Sequence, residues 1–126
     1  MAKGIKDLVG EAKGRIREVD ASEARAELDA EPRTLVLDVR ESEELAAGRL
    51  PGALHVPRGV LEPKCAADSP AREEAFQDPE RPILVYCGSG VRSALAADTL
   101  RELGFARVAS LAGGFAAWKE AGQPVE

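Results

Sequence analysis

Aromatic residues make up only 4% of this 126-residue chain, histidine occurs once, and cysteine twice. So few rings leave little with which to stack nucleic-acid bases, and a net charge of −5 opposes binding to a phosphate backbone or an anionic membrane surface. Two cysteines, Cys65 and Cys87, cannot build a disulfide scaffold, and one histidine yields no zinc tetrad without recruiting carboxylates. No apolar run approaches the ~18 residues of a membrane span, and the N-terminus lacks the apolar core of a signal peptide. These absences point to a cytoplasmic protein with no nucleic-acid or membrane partner and no metal. What is present is ordinary: 44% apolar and 31% charged residues in a length that suits one domain with one core.

The informative stretch is Ile83-Leu84-Val85-Tyr86-Cys87-Gly88-Ser89-Gly90-Val91-Arg92-Ser93. Its apolar start reads as a strand buried on both faces, ended by a cysteine. Gly88-Ser89-Gly90 can curl round the sulfur with N–H groups turned inward, and Val91 to Leu103 has helical spacing. A strand, a glycine turn and a helix N-terminus around one thiol form an anion cradle, which with Arg92 nearby lowers the thiol pKa and creates a nucleophile. The competing reading makes Cys87 a small inert hydrophobe at a strand end.

Around that stretch the elements alternate. Met1 to Arg17 reads as an amphipathic helix broken near Gly14, an N-terminal extension (1–17) packing as a lid on a domain spanning 18–126. Ile16 to Val19 is a short strand, then Asp20 or Ser22 caps a helix through Leu28. Thr34 to Val39 is a central strand, Glu41 to Ala47 a short helix stopped by Gly48, Leu50 to Val56 a turn and strand, and Pro57 to Glu62 a turn opening a short helix. Ala71 to Gln77 is a weak helix, Asp78 to Pro82 a loop, Phe105 to Ser110 the last strand, Phe115 to Ala121 the last helix, and Gln123 to Glu126 a tail. Strands alternating with helices imply an α/β, three-layer domain: a mainly parallel sheet of about five strands with helices on both faces.

Asp38 and Arg40 fall at the carboxyl end of the central strand, where open α/β sheets hold ligands. Asp38 either orients the cysteine loop by accepting its hydrogen bonds or caps a turn. Arg40 joins it in orienting the loop or forms an ion pair with Glu44 one turn on. His55, on a strand, reads as structural before catalytic, Trp118 as core packing, and Cys65 as a partly exposed bystander, although a resolving role is open to it. Gly113-Gly114 lets the chain pass close beneath the cysteine loop.

Four stretches together resemble the single-domain rhodaneses: Leu37-Asp38-Val39-Arg40 with Glu44; Gly48-Arg49-Leu50-Pro51-Gly52-Ala53 into His55-Val56-Pro57; Cys87 to Arg92; and Leu111-Ala112-Gly113-Gly114-Phe115-Ala116-Ala117-Trp118. They run in the family's order over most of the chain from about Val19 onward. Arg49-Leu50 departs from the usual His-Ile, at positions with no catalytic role to assign. The N-terminal helix is an extension that the resemblance does not explain.

The resemblance implies a sulfurtransferase carrying sulfane sulfur as a Cys87 persulfide. The N–H groups of Gly88, Ser89, Gly90, Val91, Arg92 and Ser93 would hold the charged sulfur, and Arg58 would lean over the pocket to attract an anionic donor. Ping-pong transfer to cyanide, a thiol or a protein acceptor needs no cofactor. A monomer or weak homodimer is expected. Gly88 to Val91 resembles the loop of mercaptopyruvate-using relatives, but Arg92 stands where those have a hydroxyl residue and suits thiosulfate. Two alternatives stay open. One is a sulfur carrier or protein-interaction module with little small-molecule turnover. The other is a cysteine phosphatase or arsenate reductase, whose loop is one residue longer than the four between Cys87 and Arg92.

Overall fold

The computed structural model describes residues 2–126. Five strands form one parallel sheet: β1 (Arg17–Val19), β2 (Leu35–Asp38), β3 (Leu54–His55), β4 (Ile83–Tyr86) and β5 (Val108–Leu111), in the order β1-β5-β4-β2-β3. The helices are α1 (Ile5–Lys13), α2 (Ala21–Ala30), α3 (Leu61–Cys65), α4 (Val91–Glu102) and α5 (Gly114–Glu120).

Strand β4 is central, and its pleat explains its unbroken apolar sequence. Ile83 and Val85 enter one core, shared with Leu37, Leu61, Phe76 and the α4 residues Ala96, Ala97 and Leu100. Leu84 and Tyr86 enter the other, with Ala24 of α2 and Phe115 and Trp118 of α5. Apolar residues on both faces are what a parallel strand between two helical layers requires. The small residues on the buried face of α4 let the helix lie close against the sheet.

Several boundaries differ from the sequence reading. The N-terminal helix ends at Lys13 with Gly14 as its cap, where the break was expected, so it stops short of Arg17, and Met1, included in the expected segment, lies outside the described residues. It packs on α4, and Arg15 just beyond it grips Asp98 with two hydrogen bonds of 3.0 and 2.7 Å. Its apolar face is only partly covered, since Ala12 is buried while Ile5 and Leu8 are exposed. The expected helix over 41–47 is a 3-10 helix, Ser42–Ala47, and the weak helix over 71–77 shrinks to one 3-10 turn, Glu74–Phe76. The last strand starts later than expected because Phe105, at its forecast beginning, turns into the core against Phe76.

The terminal residues are tied down. Glu126 and Arg49 exchange two main-chain hydrogen bonds, and Trp118 donates its indole N–H to the Pro124 carbonyl at 2.7 Å.

The chain leaves β4 toward β5 through α4 and leaves β2 toward β3 on the other side. The connections therefore diverge between β2 and β4, and a crevice opens at their carboxyl ends, where such sheets bind ligands. Asp38 and Cys87 end up on neighbouring strands there.

Candidate functional site

Cys87 follows β4 directly, and its sulfur is surrounded by donors. The main-chain N–H groups of Gly90 and Ser93 point at Sγ from 3.1 and 3.3 Å, and the Ser93 hydroxyl stands 3.5 Å away. That hydroxyl accepts from Ser110 of β5 at 2.9 Å, which frees its own proton to turn toward a thiolate. Ser110 went unnoticed in the sequence. Its signal was a hydroxyl in an otherwise apolar strand, legible only once the register sets it beside Val85 of β4.

The loop conformation depends on glycine at two places. Gly90, the N-cap of α4, has φ +104°, a left-handed conformation that swings its N–H onto the sulfur. Gly114 has φ +60°, and a Cβ there would stand 2.5 Å from the Cys87 carbonyl oxygen. Because it is glycine, α5 approaches closely enough for Phe115 N–H and Ala116 N–H to bind the Cys87 and Gly88 carbonyls at 2.8 and 3.2 Å. Anchoring those carbonyls outward leaves the following N–H groups facing in.

Burial alone would raise the Cys87 pKa. The Ser93 hydroxyl and the N–H groups of Ser93, Gly90 and Ser89 outweigh it and hold the thiol below its ordinary value. The residue has no exposed surface. A shallow cleft of about 420 Å³ opens beside it, lined by Gly88, Glu44, Arg40, Ala47, Phe115, Ala116 and Lys119.

Arg92 does not point at the sulfur. It makes two hydrogen bonds to Glu44, of 2.6 and 2.9 Å, and the pair lies against Gly88. The Arg92 guanidinium holds the Glu44 carboxyl down to about 2. The Arg40–Glu44 ion pair drawn from spacing is thus replaced: Arg40 reaches only the Glu44 carbonyl oxygen, at 3.2 Å, and the Glu44 side chain belongs to Arg92.

Arg40 is buried and pairs with Asp38 through its Nε and Nη2, the latter at 2.8 Å, while also donating to the Gly48 carbonyl and lying over Phe115. Asp38 also accepts from the Arg40 main-chain N–H at 3.0 Å and from the Tyr86 hydroxyl at 2.7 Å. Desolvation pushes the Asp38 carboxyl up, but Arg40 and Tyr86 bring it below the usual range. The Asp38 carboxylate thus accepts from the residue before Cys87, while the loop N–H groups of Gly90 and Ser93 go to sulfur. His55 contacts the Arg40 carbonyl at 2.7 Å. Arg58 bonds Glu62 and the Thr99 hydroxyl of α4, the latter at 3.0 Å.

Cys65 differs from expectation. It ends α3 with its side chain in the core, and burial beside Glu62 and Glu73 pushes its thiol up to about 12. Among the described residues no cluster of three or more His, Cys, Asp or Glu side chains could hold a metal, and no helix is long and apolar enough to cross a membrane.

Known proteins resemble this chain in sequence and in fold. A sulfurtransferase of Allochromatium vinosum is 31% identical over 110 residues, covering 87% of this chain and 94% of that one. The thiosulfate sulfurtransferase GlpE of Coxiella burnetii is 36% identical over 85 residues, 68% of this chain and 71% of its own. A Rhodopseudomonas palustris structure of unknown function, described as a possible tyrosine phosphatase, superposes with a TM-score of 0.93 at 34% identity, covering 100% of this chain and 96% of that one. The rhodanese-like domain family matches residues 20–121, and the chain belongs to that family.

Proposed function

We propose that this chain is a sulfurtransferase that carries sulfane sulfur on Cys87 and takes it from thiosulfate or a related anionic donor. The observation that carries the reading is the convergence of two main-chain N–H donors and the Ser93 hydroxyl on one buried sulfur at the head of α4. Such a cradle stabilises a thiolate before the reaction and a persulfide anion after it, with little reorganisation between them. Relatives named as sulfurtransferases support the class of activity.

In the first half-reaction the Cys87 thiolate attacks the outer sulfur of thiosulfate. The S–S bond of the donor breaks, sulfite leaves with the electron pair, and Cys87–S–S⁻ forms with charge conserved. In the second, cyanide or a thiolate attacks the terminal sulfur and the Cys87 thiolate is regenerated. Gly88 to Ser93 hold the charged sulfur in both states, whereas Arg58, expected to attract the donor, is held by Glu62 and Thr99 and does not line the cleft at Gly88. No cofactor is needed. A donor enters from the cleft at Gly88, and it must part the Arg92–Glu44 pair or pass beside it.

Phosphoryl transfer fits less well. A phosphoryl group presents three peripheral oxygens, whereas this loop has four residues between Cys87 and Arg92 and its arginine is already occupied by a carboxylate.

Mass spectrometry of the intact protein after thiosulfate treatment tests the reading. The expected result is a gain of one sulfur atom on the Cys87 peptide, lost again on adding cyanide with release of thiocyanate. Phosphate release from an aryl phosphate without any sulfur gain would contradict it.

A further inference from the structure

The Arg92–Glu44 pair lies against Gly88, and Glu44 and Gly88 both line the shallow cleft beside the cysteine loop. A Cβ placed on Gly88 would lie 3.2 Å from Arg92 Nη2 and 3.5 Å from Glu44 Oε2, so the ion pair rests directly on the residue after the nucleophile. Glu44 is itself fixed, because its Oε1 also accepts from Glu41 N–H at 2.9 Å and caps the 3-10 helix. The cations that line this cleft are Arg40, committed to Asp38, and Lys119, which lies over the Phe115 ring. A dianion approaching a thiolate here needs a positive partner, and the guanidinium nearest the loop is held by a carboxylate.

We propose that Glu44 makes the site selective for donor charge: by holding Arg92 against Gly88 it obliges a doubly charged donor to displace its carboxylate, an obligation weaker for a singly charged donor. This rests on the sulfurtransferase reading and deepens it. Glu44 is a positioning residue that acts through Arg92. Both side chains of the pair are about one-third exposed, so water can solvate a released Glu44 and the exchange of partners is accessible.

Two donors of matched chemistry separate charge from reactivity. Thiosulfate and methanethiosulfonate both surrender an outer sulfur to a thiolate, leaving sulfite or methanesulfinate with the bonding pair. They differ by a methyl group in place of one charged oxygen. In Glu44→Gln the KM for thiosulfate should fall about fivefold, the KM for methanethiosulfonate about twofold or less, and kcat should move little, the size expected of one partly exposed charge. Arg92→Gln should raise the thiosulfate KM. Adding Glu44→Gln to it should then change nothing further, since the carboxylate acts through the guanidinium.

Glu44→Asp keeps the charge but breaks the two-bond geometry. It should fall between wild type and Glu44→Gln, and it carries the test if the glutamine variant does not fold. A thiosulfate KM that rises in Glu44→Gln, or KM values for the two donors that move together, would overturn the proposal. Failure of either donor to load sulfur on wild-type Cys87 would instead overturn the sulfurtransferase reading beneath it.

Discussion

The two cysteines are equally hidden, at 0% and 1% exposure, and chemically opposite. Cys65 sits in the core with two carboxylates in electrostatic reach, and its thiol is pushed up to about 12. Cys87 suffers the same desolvation but receives hydrogen bonds from a hydroxyl and successive backbone N–H groups, and its thiol moves down. Burial therefore does not decide which thiol is the more acidic. The Ser93 hydroxyl and the main-chain N–H groups turned onto the sulfur do, and their orientation is fixed by neighbours: the left-handed Gly90 and the α5 N–H groups that hold the loop carbonyls outward.

The contrast can be broken most severely at the sulfur itself. Cys87→Ser should abolish sulfur loading and cut transfer by roughly 10³-fold or more, since no other nucleophile is cradled. Cys65→Ser should load as wild type does, read by peptide mass. Next is the support beneath the loop. Gly114→Ala puts a methyl into the Cys87 carbonyl oxygen at a left-handed position. It should lower stability by about 3 kcal/mol in denaturant titration and slow alkylation of Cys87, because the cradle opens.

A smaller and more specific effect is expected at Ser93. Removing its hydroxyl in Ser93→Ala deletes a donor to the thiolate, so the Cys87 pKa should rise, seen as a shift of the alkylation rate profile to higher pH. Ser110→Ala should move it the same way by less, since its hydroxyl only steadies Ser93.

The smallest effect sharpens the other half of the comparison. The folded pKa of Cys65 lies above its ordinary value of 9.0, so the stability of its neutral, buried state is fully present below about 9 and is lost as pH rises from there toward about 12. Cys87 has the opposite sign: its depressed pKa adds stability above the ordinary thiol value and loses it as pH falls through the folded one. Cys65→Ala should cost about 1 kcal/mol at neutral pH and flatten the alkaline decline in thermal midpoint.

Much of this was legible in the sequence because it lay in local patterns. The run Ile83 to Tyr86 announced a doubly buried strand, and Gly88-Ser89-Gly90 before a helical spacing announced the turn, since both depend on residues adjacent in the chain. Features requiring register or reach were not legible. The Ser110–Ser93–Cys87 relay joins β5 to α4, and the choice of Arg92 over Arg40 as the partner of Glu44 depends on which guanidinium is buried with Asp38. Cys65 was misjudged because Glu62 and Pro63 before it and Asp68 after it face outward, while Cys65, the last residue of a five-residue helix, turns its side chain inward.

The most direct measurement is peptide-resolved alkylation of both thiols by iodoacetamide across pH in the folded protein. The account predicts that the Cys87 profile reaches half-maximum below the ordinary thiol value while Cys65 stays unmodified until the fold is lost. A Cys87 profile at or above that value, or alkylation of Cys65 at a comparable rate, would contradict it.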